Sequence, residues 1–231
     1  MPAPTPRINL RPPIQENSKH CLLVGNSLTA FNMMPHMLEK LLFAATGQLW
    51  LGSNITRGGG SLQWHREAGY ADHALETLSP VDVVIIQDQS RRPAKDPQAS
   101  EADFLYWTKK AESKCARVLL YLTWNLLNES PILEELQSTL SRVTEKTSAE
   151  IAPVGRVWEK FSKVFPEVVL YREDGKHPTA IGSFLVATVL SRSIAGTLPQ
   201  SCPTDWFAGG YEDGVLPEGT WEWLKNELAA D

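Results

Sequence analysis

Short strand-like apolar runs alternating with segments of helical length constrain this chain more than any other feature. Cys21-Leu22-Leu23-Val24 reads as a strand buried on both faces. Leu49–Ile55, Val81–Ile86, Arg117–Leu122 and the shorter Glu150–Val154 are further strand candidates, and Val168–Tyr171 is another. Helical spacing predicts helices over about 30–46, 62–77, 98–113, 131–147, 155–164 and 178–195. Such alternation implies the α/β class: a three-layer α/β/α arrangement around a parallel sheet. Ligands in open sheets of this kind bind beyond the carboxyl ends of the strands. Ser27, Gly58–Gly60, Gln87–Ser90, Thr123–Asn125 and Asp174–His177 all follow strand candidates, so five polar or glycine-rich loops are expected to converge on one edge.

At 231 residues the chain fits one large domain. A chain of this size buries roughly 70% of its unfolded surface and needs no disulfide or metal staple. Residues 1–19, with five prolines, read as an extended arm; residues 20–196 form the α/β domain; residues 197–231 form an extension packed on that domain through Trp221, Leu224 and Leu228. The net charge of −5, with no basic stripe, argues against a nucleic-acid partner. No apolar run has the length of a membrane span, and residues 1–19 contain no apolar core of a signal peptide. The expectation is a soluble, cytoplasmic protein with no membrane partner; oligomeric state is not readable. Cys21 and Cys115 lie in strand-like runs and read as buried thiols; with Cys202 they have neither disulfide nor zinc spacing.

In Asp174-Gly175-Lys176-His177-Pro178 a carboxylate stands three residues ahead of an imidazole. At that offset it can accept from Nδ1–H, which fixes the tautomer and leaves Nε2 to take a proton. Pro178 suits the first turn of the following helix. Ser27 stands in a strand-to-helix turn, with its own N–H at a helix N-terminus. Alone, Ser27 reads as a helix cap, His177 as a loop histidine and Asp174 as a turn residue. Together they are the parts of an activated nucleophile. Gly59 and Gly60 could bring a backbone N–H close to a substrate oxygen, and Gln87 or Gln89 could supply a side-chain amide donor to an oxyanion. Asp88, between the glutamines, reads as ordering its loop. Asn26, Trp124 and His65 are candidates for substrate contact, with Trp64 and His36 as further wall residues, although each tryptophan reads first as core and His65 equally as a surface or capped histidine.

These residues carry a resemblance. Val24-Gly25-Asn26-Ser27-Leu28-Thr29, then Gly59-Gly60-Ser61-Leu62 with His65, then Ile86-Gln87-Asp88-Gln89-Ser90, then Asp174-Gly175-Lys176-His177-Pro178 occur in that order. Over about residues 20–196 the chain resembles the SGNH (GDSL-type) hydrolase superfamily, in its branch with GNS for GDS and a Q-(D/E)-Q-S block. Leu120–Trp124 and Ala152–Gly155 resemble that branch as well. The resemblance implies a flavodoxin-like fold with a five-stranded parallel sheet, no metal and no organic cofactor. It implies Ser27 as nucleophile, His177 as general base and Asp174 as its orienting partner. The oxyanion would be held by the N–H groups of Ser27 and of Gly59 or Gly60. The family's usual G-x-N-D block is absent; Gln89 falls at the asparagine's place and Ser90 at the aspartate's, so either Gln89 or Gln87 supplies the amide.

The reading that follows is a serine esterase of acyl esters, acetyl above all, on a carbohydrate or other small alcohol. The same residues could instead pass the acyl group to an acceptor alcohol. A non-catalytic reading takes Gly58–Gly60 as an anion or nucleotide cradle, although its spacing fits neither G-x-G-x-x-G nor the P-loop. A metal site from Asp88, Asp174 and His177 lacks a second histidine at ligand spacing.

Overall fold

The computed structural model describes residues 5–11, 17–78, 80–203 and 216–229. In chain order the elements are β1 (Arg7–Asn9), β2 (Lys19–Gly25), α1 (Ser27–Ala30), α2 (Met34–Thr46), β3 (Trp50–Thr56), α3 (Leu62–Ala68), α4 (Tyr70–Thr77), β4 (Val81–Ile86) and α5 (Arg92–Lys95). There follow α6 (Pro97–Glu112), β5 (Cys115–Tyr121), α7 (Leu133–Thr144), β6 (Glu150–Ala152), α8 (Val154–Val164), α9 (Ala180–Ala195) and α10 (Thr220–Glu227). The sheet order is β1-β3-β2-β4-β5-β6, with β2 to β6 parallel and β1 antiparallel to β3. The parallel part has the flavodoxin-like order, whose direction reverses between β2 and β4.

Alternation along the strands divides the core in two. Cys21, Leu23, Val83, Ile85, Leu119 and Tyr121 face a layer that includes α2, α8, α9 and α10. Leu22, Val24, Val84, Ile86, Val118 and Leu120 face the layer of α3, α4, α6 and α7. Both faces of a parallel strand are covered, so its run is apolar without interruption. Helix α9 is buried nearly all round, from Phe184 through Leu190, and packs against α2 and α8. Trp221, Leu224 and Leu228 join the α9 side of the core, each contributing about 1.5–3 kcal/mol of burial.

Several boundaries depart from the sequence expectations. The segment read as an extended arm contains β1, paired Arg7↔Thr56 and Asn9↔Asn54, which makes a sixth strand. The predicted 30–46 helix is broken at Asn32 and Met33, both at positive φ (51° and 55°). The predicted 62–77 helix is split at Gly69, φ +72°, a turn that closes α3 and opens α4. Val168–Tyr171 is not a sheet strand: Tyr171 makes a single bridge to Pro178, and the chain folds back in a small hairpin through Arg172 N–H to His177 C=O (2.8 Å) and Thr179 N–H to Leu170 C=O (2.9 Å). Pro178 stands one residue before the helix cap rather than in the first turn; the cap is Thr179, whose Oγ1 accepts from Gly182 N–H. Cys21 is a buried free thiol, Cys202 is half-buried, and the side chain of Cys115 lies outside the described residues. Among the described residues no helix is long and apolar enough to cross a membrane.

Candidate active site

Strand register aligns the loops. Gly25 pairs with Thr56, Val24 with Ile86, and Ile86 with Leu120. The residues that follow, Asn26–Ser27, Arg57–Gly60, Gln87–Ser90 and Leu122–Asn125, therefore leave the sheet in one row. Asp174–His177 reaches the same edge by a different route. Leu127 N–H donates to Gly175 C=O (2.8 Å), and the Trp124 indole N–H donates to Lys176 C=O (3.3 Å).

At that edge the Ser27 Oγ lies 2.8 Å from His177 Nε2, and His177 Nδ1 lies 2.5 Å from Asp174 Oδ2. Asp174 Oδ1 accepts from the N–H groups of Lys176 (3.0 Å) and His177 (2.9 Å). Partial burial pushes the Asp174 carboxyl up, but the hydrogen bonds from the His177 ring and from these two N–H groups outweigh it, so its pKa falls to about 2. The imidazole also stacks on Phe31, ring centroids 4.4 Å apart. A serine hydroxyl, an imidazole with one nitrogen held by a carboxylate, and the N-terminus of a short helix are thereby joined. The arrangement can deprotonate the hydroxyl as it attacks an electrophile.

The turn that carries Ser27 is built from buried polar contacts. Asn26 caps α1 by accepting from Leu28 N–H (3.0 Å), and its amide donates to Gly60 C=O (3.2 Å) and Asp88 C=O (3.3 Å). It is 2% exposed, so it joins three loops and offers no surface to a substrate. Gln87 Oε1 accepts from Asn26 N–H and from the Thr29 hydroxyl, both at 3.0 Å, and its amide nitrogen donates to Asp88 C=O. Gln87 is thus occupied within the core and is not the oxyanion donor. Gln89 is half-buried; its Oε1 accepts from Arg91 N–H (2.9 Å), and its amide nitrogen has no partner among the described residues. Gly60 N–H closes a turn onto Arg57 C=O (2.8 Å), which removes it as a donor, whereas Gly59 is exposed at the tip of that turn.

His65 and Trp124 are also withdrawn from direct contact. His65 is wholly buried, and its Nε2–H donates to Gly25 C=O (2.7 Å). Burial lowers its pKa to about 4. Trp124 is 1% exposed and stacks on Trp158 with centroids 4.0 Å apart. Trp64 is half-buried under the Arg57 guanidinium (4.8 Å), and His36 pairs with Glu39 (3.0 Å). The side chain of Asp88 is inaccessible: Oδ1 accepts from Leu62 and Gln89 N–H, and Oδ2 from the Ser100 hydroxyl and Arg92. Its oxygens order the loop, and among the described residues no three His, Cys, Asp or Glu side chains could hold a metal ion.

Sequence reading missed Asn32, Phe31 and Arg92. Asn32 Nδ2 donates to Pro178 C=O (3.1 Å) and the Ser183 hydroxyl (2.9 Å), tying the Ser27 side of the site to the His177 loop. An asparagine inside an apolar helical run was the available signal, since asparagine tolerates left-handed backbone. Arg92 bridges Asp88 and Asp103 (2.9 and 2.6 Å) from a segment read as loop.

No family model matches this chain, and no curated protein matches it. Solved structures do. A protein from Slackia heliotrinireducens assigned to the SGNH hydrolases superposes with TM-score 0.63 at 25% identity, over 76% of this chain and 98% of that one. The chain has the SGNH hydrolase fold. A DUF4886 family protein from Bacteroides uniformis matches with TM-score 0.65 at 16% identity, over 92% of each chain. An acetylxylan esterase from Geobacillus stearothermophilus matches with TM-score 0.60 at 13% identity, over 78% of this chain and 96% of that one. Relative to the expected five-stranded SGNH sheet, β1 is an addition on the β3 edge.

Proposed function

We propose that this SGNH-type hydrolase is a serine esterase that removes short acyl groups, acetyl above all, from a carbohydrate or other small alcohol. The observation that carries the reading is the unbroken contact from Ser27 Oγ through the His177 ring to Asp174. In this mechanism Ser27 Oγ attacks the ester carbonyl while His177 Nε2 takes its proton. Asp174 holds Nδ1–H, keeps the ring oriented and stabilises the imidazolium. The oxyanion accepts from Ser27 N–H at the start of α1, with Gly59 N–H and the Gln89 amide as further donors. His177 returns the proton to the departing alcohol, leaving an acyl group on Ser27. A water molecule deprotonated by His177 then attacks that acyl group and frees the acid.

The preference for a short acyl group is supported by the cleft beside Ser27, about 190 Å³, lined also by Phe31, Thr56 and Gly58. Pockets for drug-sized ligands run from about 300 Å³ upward, so a cleft of this size suits a small acyl group. The acetylxylan esterase among the structural neighbours makes acetylated sugars the first class to try.

The test is hydrolysis of p-nitrophenyl acetate and of acetylated xylo-oligosaccharides by wild type and Ser27→Ala. A fall of at least about 10³ in kcat/KM is expected for Ser27→Ala, with the circular dichroism spectrum unchanged. Equal rates would remove the proposal. Acetate is expected to be cleaved faster than butyrate, and butyrate faster than octanoate.

A further inference from the structure

The geometry points to a recognition site for a negatively charged group on the substrate, built around Arg7 at the mouth of the Ser27 cleft. The inference rests on the esterase reading and narrows its substrate class to esters that carry an oxyanionic group such as a carboxylate. Three hollows meet at this place. The Ser27 cleft is one; a second, of about 290 Å³, is lined by Phe31, Asn32 and Arg172; a third, of about 220 Å³, by Met33, His36 and Glu39. Arg7 and Ala30 line all three.

Arg7 is exposed, and its guanidinium has no ion-pair or hydrogen-bond partner among the described residues. The strand that presents it is anchored. Arg7 pairs in register with Thr56, itself a wall of the Ser27 cleft. Four residues on, Arg11 N–H donates to the Ser53 hydroxyl (2.9 Å), and the Arg11 guanidinium meets both oxygens of Glu39 at 2.8 Å. Glu39 is largely buried and also accepts from Gly52 N–H (2.6 Å) and His36. The arm is thus held by a paired arginine while a second arginine is left facing the cleft. Across the second hollow, the Arg172 guanidinium stands 5.7 Å from the Phe31 ring centroid, and Phe31 is the ring that stacks on His177.

Two arginines therefore flank a hollow adjoining the nucleophile, in a chain whose net charge is −5. A guanidinium is always charged and its planar fork suits carboxylate and phosphate oxygens. An anionic group seated between Arg7 and Arg172 would leave the ester carbonyl free to reach Ser27 in the adjoining cleft.

Two matched pairs test the site. 4-Acetoxybenzoate against its methyl ester puts the charge on the alcohol side. Mono(4-nitrophenyl) succinate against its methyl ester puts it on the acyl side. In at least one pair the charged member is expected to have a kcat/KM about tenfold higher at low salt, mainly through KM, with the preference shrinking as salt is added. Arg7→Gln is expected to cut that ratio by about fivefold or more, and Arg7→Lys to keep part of it. No preference for charge in either pair, or a preference that survives Arg7→Gln, overturns the inference. Calorimetry of the same four compounds with Ser27→Ala reads recognition without turnover. Carboxylate-dependent affinity that Arg7→Gln removes supports the site even where nothing is cleaved, and equal affinities for charged and neutral members count against it. Failure of wild type to cleave any of the four while binding persists counts against the esterase reading instead.

Discussion

At Asp174 two effects oppose each other, and their balance decides the pH behaviour. Burial disfavours its charge, but the hydrogen bonds from the His177 ring and from two backbone N–H groups win and hold its pKa at about 2. The carboxylate is therefore ionised wherever the protein is folded and active. A general base must be unprotonated, so activity is expected to fall on the acid side. The acid limb of log kcat/KM is expected to have a slope of one, from a single ionisation; a slope of two above about pH 4 would show the carboxylate titrating as well. Asp174→Asn keeps the shape but removes the negative charge that stabilises the imidazolium, and its amide N–H can donate to Nδ1 and fix the wrong tautomer, so kcat is expected to fall by about 10²–10⁴ with little change in KM. At this scale the pairing of Asp174 with His177 was legible, because an offset of three residues in a loop is local geometry. Which glutamine amide is left unoccupied was not. Gln87 and Gln89 are equivalent in sequence, and only the polar contacts of Asn26 and Thr29 show that Gln87 is spent inside the fold.

Between elements, the break at Asn32–Met33 is what brings the two halves of the site together. A continuous 30–46 helix would carry Asn32 along the helix surface; the left-handed turn instead aims its amide at Pro178 and Ser183. Two consecutive residues at positive φ are costly for Met33, and the buried hydrogen bonds of Asn32 offset that cost. Asn32→Ala is expected to lower stability by about 1–3 kcal/mol in urea unfolding, since it leaves Pro178 C=O and the Ser183 hydroxyl without that donor. It is also expected to lower kcat about tenfold, because the His177 loop loses its tie to the Ser27 side. Unchanged stability and rate together would show the tie to be incidental. Apolar periodicity alone predicted a helix here, because periodicity reports which face is buried and is blind to a local reversal of φ.

For the molecule as a whole, the buried His65 links fold stability to pH. Its Nε2–H supports Gly25 C=O, two residues before Ser27, and burial lowers its pKa from 6.5 to about 4. The folded state binds this proton more weakly than the unfolded chain does. Its contribution is therefore complete above about pH 6.5 and is lost as pH falls toward 4, a change of about 3 kcal/mol. Chemical unfolding of wild type at pH 7 and pH 4, set against His65→Gln, is expected to show this difference in wild type alone. The same loss in His65→Gln would assign it to other groups. Surface ion pairs such as Lys163–Glu159 contribute far less, since both side chains stay in water.

The central strands, the long helices and the parallel part of the sheet were readable from residue order, because burial on both faces writes an unbroken apolar run and a covered helix writes a 3.6-residue period. That Ser27, Asp174 and His177 would come to one edge was readable as well, since they are polar residues at the ends of such runs. What residue order left open were contacts between distant segments: which glutamine is occupied, that His65 and Trp124 stand behind the site instead of in it, and that Arg7 comes to line the Ser27 cleft. Each depends on how two surfaces meet after the chain has folded. A pairing across the sheet edge, such as Arg7 with Thr56, leaves no periodic trace in either segment.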